Sequence, residues 1–495
     1  MNRRDLLSGL AALAAPSASL RAQVRGNAGA APGTAAVNAA DTAASAPAPL
    51  LTFYQLLGGD DLAGASALQR LRNPWNEAYV APLIELVQFV PNPRVRDGVV
   101  RLLREMTGRA FNSSLNEWYD WLWNRAPVEH PDYAEFKAYL YENIDPTFRE
   151  YFNPPASGKL KSLIRLDEIR WGGVRRDGIP PLKNPRMLTA ADATYLADSN
   201  IVFATEINGD ARAYPKRILA WHEMFKDTIG GREVCGVYCT LCGSMIVYDS
   251  EVAGVHHELG TSGFLYRSNK LMYDHATKSM WSTLEGEPVV GALAGQGISL
   301  TPLTVVTTTW GEWRRQHPRT TVLALDTGHQ RDYGEGAAYR DYFSTDRLMF
   351  TVPRLDTRLP NKAEVLAVRL DSSAGSGVTS APPKASAPGA RGRNERLAIA
   401  ADFLLRNPVH HDRIGNTGFV VFTTRGGANR VYDDSSVKFT RWDGNTQATD
   451  SAGRVWRVTE SALTAPDGQR RARLPAHRAF WFGWVSQFPD TRLVK

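Results

Sequence analysis

The sequence predicts an α+β protein, with a helical N-terminal domain followed by a larger, mainly antiparallel β-rich domain. Three observations carry that expectation. Between Leu50 and about Glu150, apolar residues recur at helical spacing. After about Leu160 the text turns to short apolar runs broken by Gly, Asn, Asp and Pro. The 495 residues also exceed what one compact core serves, so two or three domains are expected.

The first 22 residues read MNRRDLLSGLAALAAPSASLRA. A charged start, a short Ala/Leu run and the small-residue site Leu20-Arg21-Ala22 make a secretory signal, and the run is too short to span a bilayer. Arg3-Arg4 followed by Asp5, Leu6 and Leu7 fits a twin-arginine signal, with an ordinary Sec signal as the plainer alternative. Residues 23–49 are rich in Ala, Gly, Ser and Pro with almost no large apolar groups, hence a disordered linker. Residues 50–158 form the expected helical domain. Leu83, Ile84, Leu86, Val87 and Val90 share one helix face, and Val95, Val99, Leu102, Leu103 and Met106 the next. Pro91 and Pro93 separate the two helices, and Gly108 closes the second. Trp118, Trp121 and Trp123 read more readily as helix-packing core than as a ligand platform.

Residues 159–495 form the expected β-rich domain. Runs at 201–205, 244–248, 321–325, 363–368 and 419–423 read as strands, and Asn208-Gly209 as a hairpin turn. Pro215 to Asp227 reads as a helix with Ile218, Leu219, Met224 and Phe225 inward. Residues 372–394 repeat the Ala/Ser/Gly/Pro composition and are read as a disordered loop inserted in this domain.

Composition narrows the function classes. Lys and Arg total 58 against 51 Asp and Glu, and no dense basic block occurs, which argues against nucleic acid as a partner. No segment after the leader is apolar over the length of a transmembrane helix. The mature protein is therefore expected in the periplasm or outside the cell, without a transmembrane anchor and with a small-molecule or protein partner that the sequence does not name. Three cysteines cannot staple a chain of this size, yet Cys235, Cys239 and Cys242 fall in one short stretch.

Cys239-Thr240-Leu241-Cys242 is a C-x-x-C, a spacing that lets two sulfurs converge on one metal ion or close a small disulfide ring. Gly243 after it fits a tight turn into the strand Ser244–Tyr248, and its place excludes c-type haem attachment, which needs His there. The full Cys235-x3-Cys239-x2-Cys242 spacing also matches a 4Fe–4S motif. Against that stand Leu241, where an aromatic residue is usual, and the β-rich text downstream. A metal centre is the leading expectation, with Cys239, Cys242 and His222 as ligands and Cys235 as a weaker fourth. Sulfur and imidazole suit copper(I) or zinc. A thiol–disulfide pair and a plain structural disulfide are the alternatives.

The remaining motifs exclude more than they support. His222-Glu223 is not followed by the second His of a zincin, and Gly260-Thr261-Ser262-Gly263 lacks the nucleophile-elbow spacing. One of His256-His257 faces solvent on a strand, and His275 reads as a surface turn residue. No phosphate-binding loop or dinucleotide fingerprint follows a strand.

Several blocks taken together resemble the DUF3179 family of bacterial and archaeal proteins. They are Ala213-Tyr214-Pro215, Trp221-His222-Glu223-Met224, Tyr238 to Ser244, Thr261 to Asp274 and Lys278 to Trp281. Gly286 to Gly291, Asp326-Thr327-Gly328, Arg331-Asp332-Tyr333-Gly334 and Phe480 to Trp484 continue the series. The resemblance implies that His222, Cys239, Cys242, Asn269, Lys270, Asp274, Trp281, Arg331 and Asp332 sit in characteristic positions, whereas Cys235 and His275 do not. It brings no established activity with it.

Lys270, Asp274, Arg331 and Asp332 lie in text read as loops between strands, where polar sites collect, and they are the catalytic candidates. Against that role, Asp274 and Asp332 would serve turn amides, and Arg331 would pair with a neighbour. Three uses of the cysteine pair stay open at this level: a metal-dependent oxidoreductase or metal carrier, a thiol–disulfide oxidoreductase, and a non-enzymatic binding or scaffolding module with a structural disulfide.

Overall fold

A computed structural model describes residues 47–155, 158–370, 395–434 and 437–495. The signal expected at 1–22, most of the linker expected at 23–49 and the inserted loop expected at 372–394 lie outside the described residues. Contacts divide the chain into two compact units, residues 1–153 and 154–495.

The first unit is helical. Its elements include α1 Val80–Leu86, α2 Pro93–Thr107, α3 Leu115–Trp123 and α4 Tyr133–Glu142. Pro93 opens α2 where no amide partner is needed, Asn92 caps it by accepting from the Arg94 amide, and Gly108 ends it at φ 70°. The apolar face read from sequence is buried: Val95, Val99, Leu102 and Leu103 are all at most 4% exposed. Trp118 and Trp123 are buried core residues, as helix packing requires. Inside this core, Lys137 donates to Glu85, which also accepts from Tyr133 and Tyr141, so the carboxylate of this buried charge pair accepts three hydrogen bonds. The last linker residues are held here too, through Ala48 to Tyr79 and His130.

The second unit is built of mostly antiparallel sheets. One sheet contains the hairpin β1 Ile201–Ile207 and β2 Asp210–Pro215. Its turn residues Asn208 and Gly209 both have positive φ, at 50° and 83°, the conformation this dipeptide favours. Helix α5 Lys216–His222 follows, then the sheet of β3 Met224–Ile229, β4 Arg232–Cys239 and β5 Ser244–Asp249. A third sheet is centred on β6 Leu259–Tyr266 and β7 Asn269–Asp274. The short helix α6 Arg340–Phe343 precedes β8 Glu364–Arg369, which pairs with β9 Ala476–Phe480. Helix α7 Trp481–Gln487 ends the motif series, and eight strands within residues 409–474 form a further antiparallel sheet.

One predicted element changes character. The helix expected over 215–227 ends at His222, and Glu223 turns the chain at φ 56°. Met224 and Phe225 are inward as expected, but on strand β3, whose register runs from Met224 opposite Val237 to Ile229 opposite Arg232. The tight turn at Gly230 and Gly231, both with positive φ, fixes that hairpin and overrides the helical reading.

Candidate functional site

The C-x-x-C is the loop of the β4–β5 hairpin. Cys239 pairs with Ser244 across it, the Cys242 amide donates to the Cys239 carbonyl over 3.1 Å, and Gly243 closes the turn at φ 60°. Cys239 and Cys242 are 3% and 0% exposed, and both thiols are free. They pack with Leu241, Leu265, Tyr342, Phe480 and Phe482. Tyr342 holds this cover in place by donating its O–H to the Leu241 carbonyl over 2.8 Å.

The two sulfurs are not equivalent. Burial opposes ionisation of Cys239, yet its thiol is held below the ordinary value by the Cys242 thiol and by the backbone N–H groups of Lys270 and Cys242. Cys242 is pushed well up, first by burial and then by the neighbouring Cys239 sulfur. Its thiol proton has two acceptors, Cys239 and the Ser268 carbonyl at 3.2 Å. Of the two, Cys239 is the sulfur whose surroundings favour ionisation and Cys242 the one whose surroundings oppose it.

A buried carboxylate acts on the pair through its charge. Glu223 is 7% exposed and accepts from Lys270 Nζ at 3.2 Å and from the Tyr339 hydroxyl at 3.0 Å. Its charge acts on both sulfurs and opposes ionisation of each. The left-handed turn after α5 aims this side chain, at a backbone cost of order 1–3 kcal/mol for a non-glycine residue. Lys270 thus contributes twice, through its amide to Cys239 and its ammonium to Glu223.

The expected four-ligand metal set does not assemble. His222 is fully buried and faces away from the sulfurs, with Nδ1 2.9 Å from the Pro180 carbonyl and Nε2 2.5 Å from the Tyr333 hydroxyl. The carbonyl only accepts, so Nδ1 carries the proton and Nε2 accepts from Tyr333, which is in turn 2.6 Å from Thr327 Oγ1. Burial holds the imidazole neutral, with its pKa down to about 4. No ring lone pair is left for a metal. Cys235 lies on the same face of β4 as Cys239, but four residues at roughly 3.3 Å rise put it on the order of 13 Å away. It sits in an apolar cluster that pushes its thiol up to about 12. Among the described residues, no group of three or more His, Cys, Asp or Glu side chains is arranged to hold a metal ion.

The other candidates separate. Lys270 and Asp274 lie in strand β7, not in loops. Asp274 accepts from the Thr277 amide at 2.7 Å and pairs with His257 at 3.1 Å, a turn role away from the sulfurs. Arg331 and Asp332 are exposed; Asp332 accepts from the Gly334 amide, and Arg331 donates to the Gln330 carbonyl. Asn269 donates to the Gly483 carbonyl, and Trp281 is core. Ser262 is buried and donates to the Leu271 carbonyl, which excludes it as a nucleophile. Sequence reasoning missed Glu223 and Tyr339. Glu223 stands in the text only beside an incomplete zincin motif and within the block Trp221-His222-Glu223-Met224, and Tyr339 lies in text with no motif of its own.

Comparison with curated proteins and with solved structures finds no match. The family model described as "Protein of unknown function (DUF3179)" matches residues 176–491, a span that includes the C-x-x-C hairpin, Glu223 and Lys270. The chain belongs to the DUF3179 family.

Proposed function

We propose that Cys239 and Cys242 are a redox-active dithiol that carries out thiol–disulfide exchange. The observation that carries this reading is the hairpin turn that holds Cys239 and Cys242 together as two free thiols, with the Cys242 amide on the Cys239 carbonyl over 3.1 Å; the surroundings lower the Cys239 thiol and raise that of Cys242. Thiolate character makes Cys239 the nucleophile. It attacks one sulfur of a substrate disulfide, the substrate S–S bond breaks, and one thiolate leaves. Cys242 then loses its proton and attacks Cys239 in the mixed disulfide, releasing the second substrate sulfur as the Cys239–Cys242 bond forms. The protein dithiol is oxidised, the substrate disulfide is reduced to two thiols, and the reverse sequence oxidises a substrate dithiol. Export by the signal read at residues 1–22 would place this chemistry in an oxidising compartment.

The test is oxidation of the purified protein by 2,2′-dithiodiethanol, a small disulfide that reaches confined sulfurs, followed by peptide mapping and metal analysis. The reading expects a Cys239–Cys242 disulfide, an unmodified Cys235 and full reversal by dithiothreitol. Protein that stays reduced, or that arrives with one copper or zinc lost in Cys239→Ser, overturns it.

A further inference from the structure

Cys239 and Cys242 are 3% and 0% exposed, so exchange at these sulfurs requires one wall of their cluster to move. Most of that wall is fixed by regular structure: Leu265 stands on β6, Phe480 at the end of β9 and Phe482 in α7. Tyr342 differs. Among the described residues, 324–363 contribute no strand, and their one helix is the four-residue α6 that carries Tyr342. We infer that residues 328–343 form a hinged strap over the C-x-x-C, and that its opening is the step that admits substrate to the dithiol. The inference rests on the exchange reading above and adds to it the control of access.

Three tyrosine hydroxyls pin the strap. Tyr333 donates to His222 Nε2 at 2.5 Å, Tyr339 to Glu223 at 3.0 Å and Tyr342 to the Leu241 carbonyl at 2.8 Å. The acceptors belong to the last residue of α5, the residue after it and the middle of the C-x-x-C. Trp221 adds a fourth tie, its indole N–H donating to the Asp332 carbonyl at 2.7 Å. Between these pins the chain is exposed at residues 328–332, 334–336, 340 and 341. Each pin is a single hydrogen bond of modest net strength in water, so the strap can be released while the sheets stay folded.

The flanks are held more firmly than the strap. Before it, the Ala324 amide donates to the Arg186 carbonyl at 2.9 Å. Gly328 and Gly336 then turn at φ 78° and 67°, with open space where a side chain would stand, which suits a hinge. After it, Asp346 accepts from the Asn361 and Lys362 amides at 3.0 and 2.8 Å, and Ser268 donates to the Phe350 carbonyl at 3.0 Å. Lys362 Nζ holds the Tyr342 and Thr345 carbonyls, so the second hinge lies at the end of α6.

Cys235 supplies an internal reference, because it is buried in a separate apolar cluster that holds no strap residue. The experiment alkylates reduced protein with iodoacetamide at urea concentrations below unfolding and reads each cysteine by peptide mapping. Cys239 is expected to label at a rate that hardly changes with urea, as local opening does, whereas Cys235 follows the full unfolding slope. The double variant Y339F/Y342F deletes two pins and is expected to label Cys239 about 10-fold faster. Tyr342→Phe alone, whose acceptor is a backbone carbonyl, excludes a change at Glu223 as the cause and is expected to speed labelling several-fold. Tyr432→Phe is the control. It deletes a similar hydroxyl–carbonyl bond, to Thr459 at 2.6 Å, from the eight-stranded sheet, and is expected to speed Cys235 but not Cys239. Cys239 labelling that follows the unfolding slope, or that Tyr432→Phe raises as much as Y339F/Y342F does, overturns the strap and leaves the exchange reading intact. The same proteins treated with 2,2′-dithiodiethanol are expected to close the Cys239–Cys242 disulfide faster in Y339F/Y342F than in wild type. A pair that the double variant opens to alkylation but that never closes overturns the exchange reading while the strap stands.

Discussion

Glu223 and Lys270 meet 3.2 Å apart inside the β-rich unit, one on the left-handed residue that joins a helix to a strand, the other on the strand whose amide points at Cys239. The pair therefore links the local turn after α5 to the electrostatics of the C-x-x-C loop. Breaking it from one side leaves an uncompensated buried charge. Lys270→Met is expected to cost about 3–5 kcal/mol, and E223Q/K270M is expected to recover most of that loss. Chemical denaturation of the three proteins measures both values; equal stability of single and double variants would show that the pair is not felt as a buried ion pair.

The sulfurs should differ sharply in reactivity. Cys239 is held toward the thiolate, while Cys235 is pushed up to about 12 by its apolar surroundings. Limited alkylation with iodoacetamide at neutral pH, read by peptide mapping, is expected to label Cys239 first and Cys235 last. The same rate measured against pH should place the Cys239 midpoint below that of a free thiol.

The cover over the pair is a specific contact rather than bulk. Removing the Tyr342 hydroxyl in Tyr342→Phe deletes its bond to the Leu241 carbonyl at 2.8 Å. The expected loss is about 1 kcal/mol of stability, with a several-fold faster alkylation of Cys239. Unchanged alkylation would mean that the sulfurs are reached by another route.

Gly483 allows the Cys242 loop to approach helix α7. A methyl group there would lie 2.8 Å from Cys242 Cβ and 3.3 Å from its sulfur. Gly483→Ala is expected to cost about 1–3 kcal/mol by overpacking and to slow disulfide closure by displacing Cys242. Thermal melting and the closure rate report the two effects separately.

His222 should make the fold acid-sensitive. Its pKa is held down to about 4 by burial, against an ordinary 6.5, so the unfolded chain binds a proton between those values and the folded protein does not. Stability supplied by the neutral, buried imidazole is present above about pH 6.5 and is lost as pH falls toward 4. His222→Gln is expected to reduce the acid-induced loss across that window by about 2–3 kcal/mol. Urea midpoints at several pH values for the two proteins check the sign; a larger acid loss in the variant would contradict it.

Much of this architecture is legible along the chain because its signals are local. The apolar stripe of α2 with its Asn92-Pro93 start and Gly108 stop, and the Asn208-Gly209 turn, depend only on neighbours in sequence. The break at His222 is not, since β3 exists through its pairing with β4 across the Gly230-Gly231 turn. The site divides in the same way. Cys239 and Cys242 are found from spacing, and the weakness of Cys235 follows from a strand rise of about 3.3 Å per residue. Nearness in sequence points to His222 as partner of the sulfurs, but its ring is held by Pro180 and Tyr333, and the residue after it is the one whose charge acts on them. That inversion comes from a single left-handed residue, which no residue type at Glu223 announces. Tyr339, 116 residues beyond Glu223, is brought in only by the tertiary fold.

The most direct test of the dithiol is a redox titration. Wild-type protein equilibrated in graded mixtures of reduced and oxidised dithiothreitol, with free thiols counted after acid quench, is expected to follow one reversible two-electron transition that converts three free thiols to one. Cys235→Ala should keep that transition, and Cys239→Ser and Cys242→Ser should each abolish it. Three thiols that stay free at every ratio, or a transition that survives in Cys239→Ser, would contradict the account.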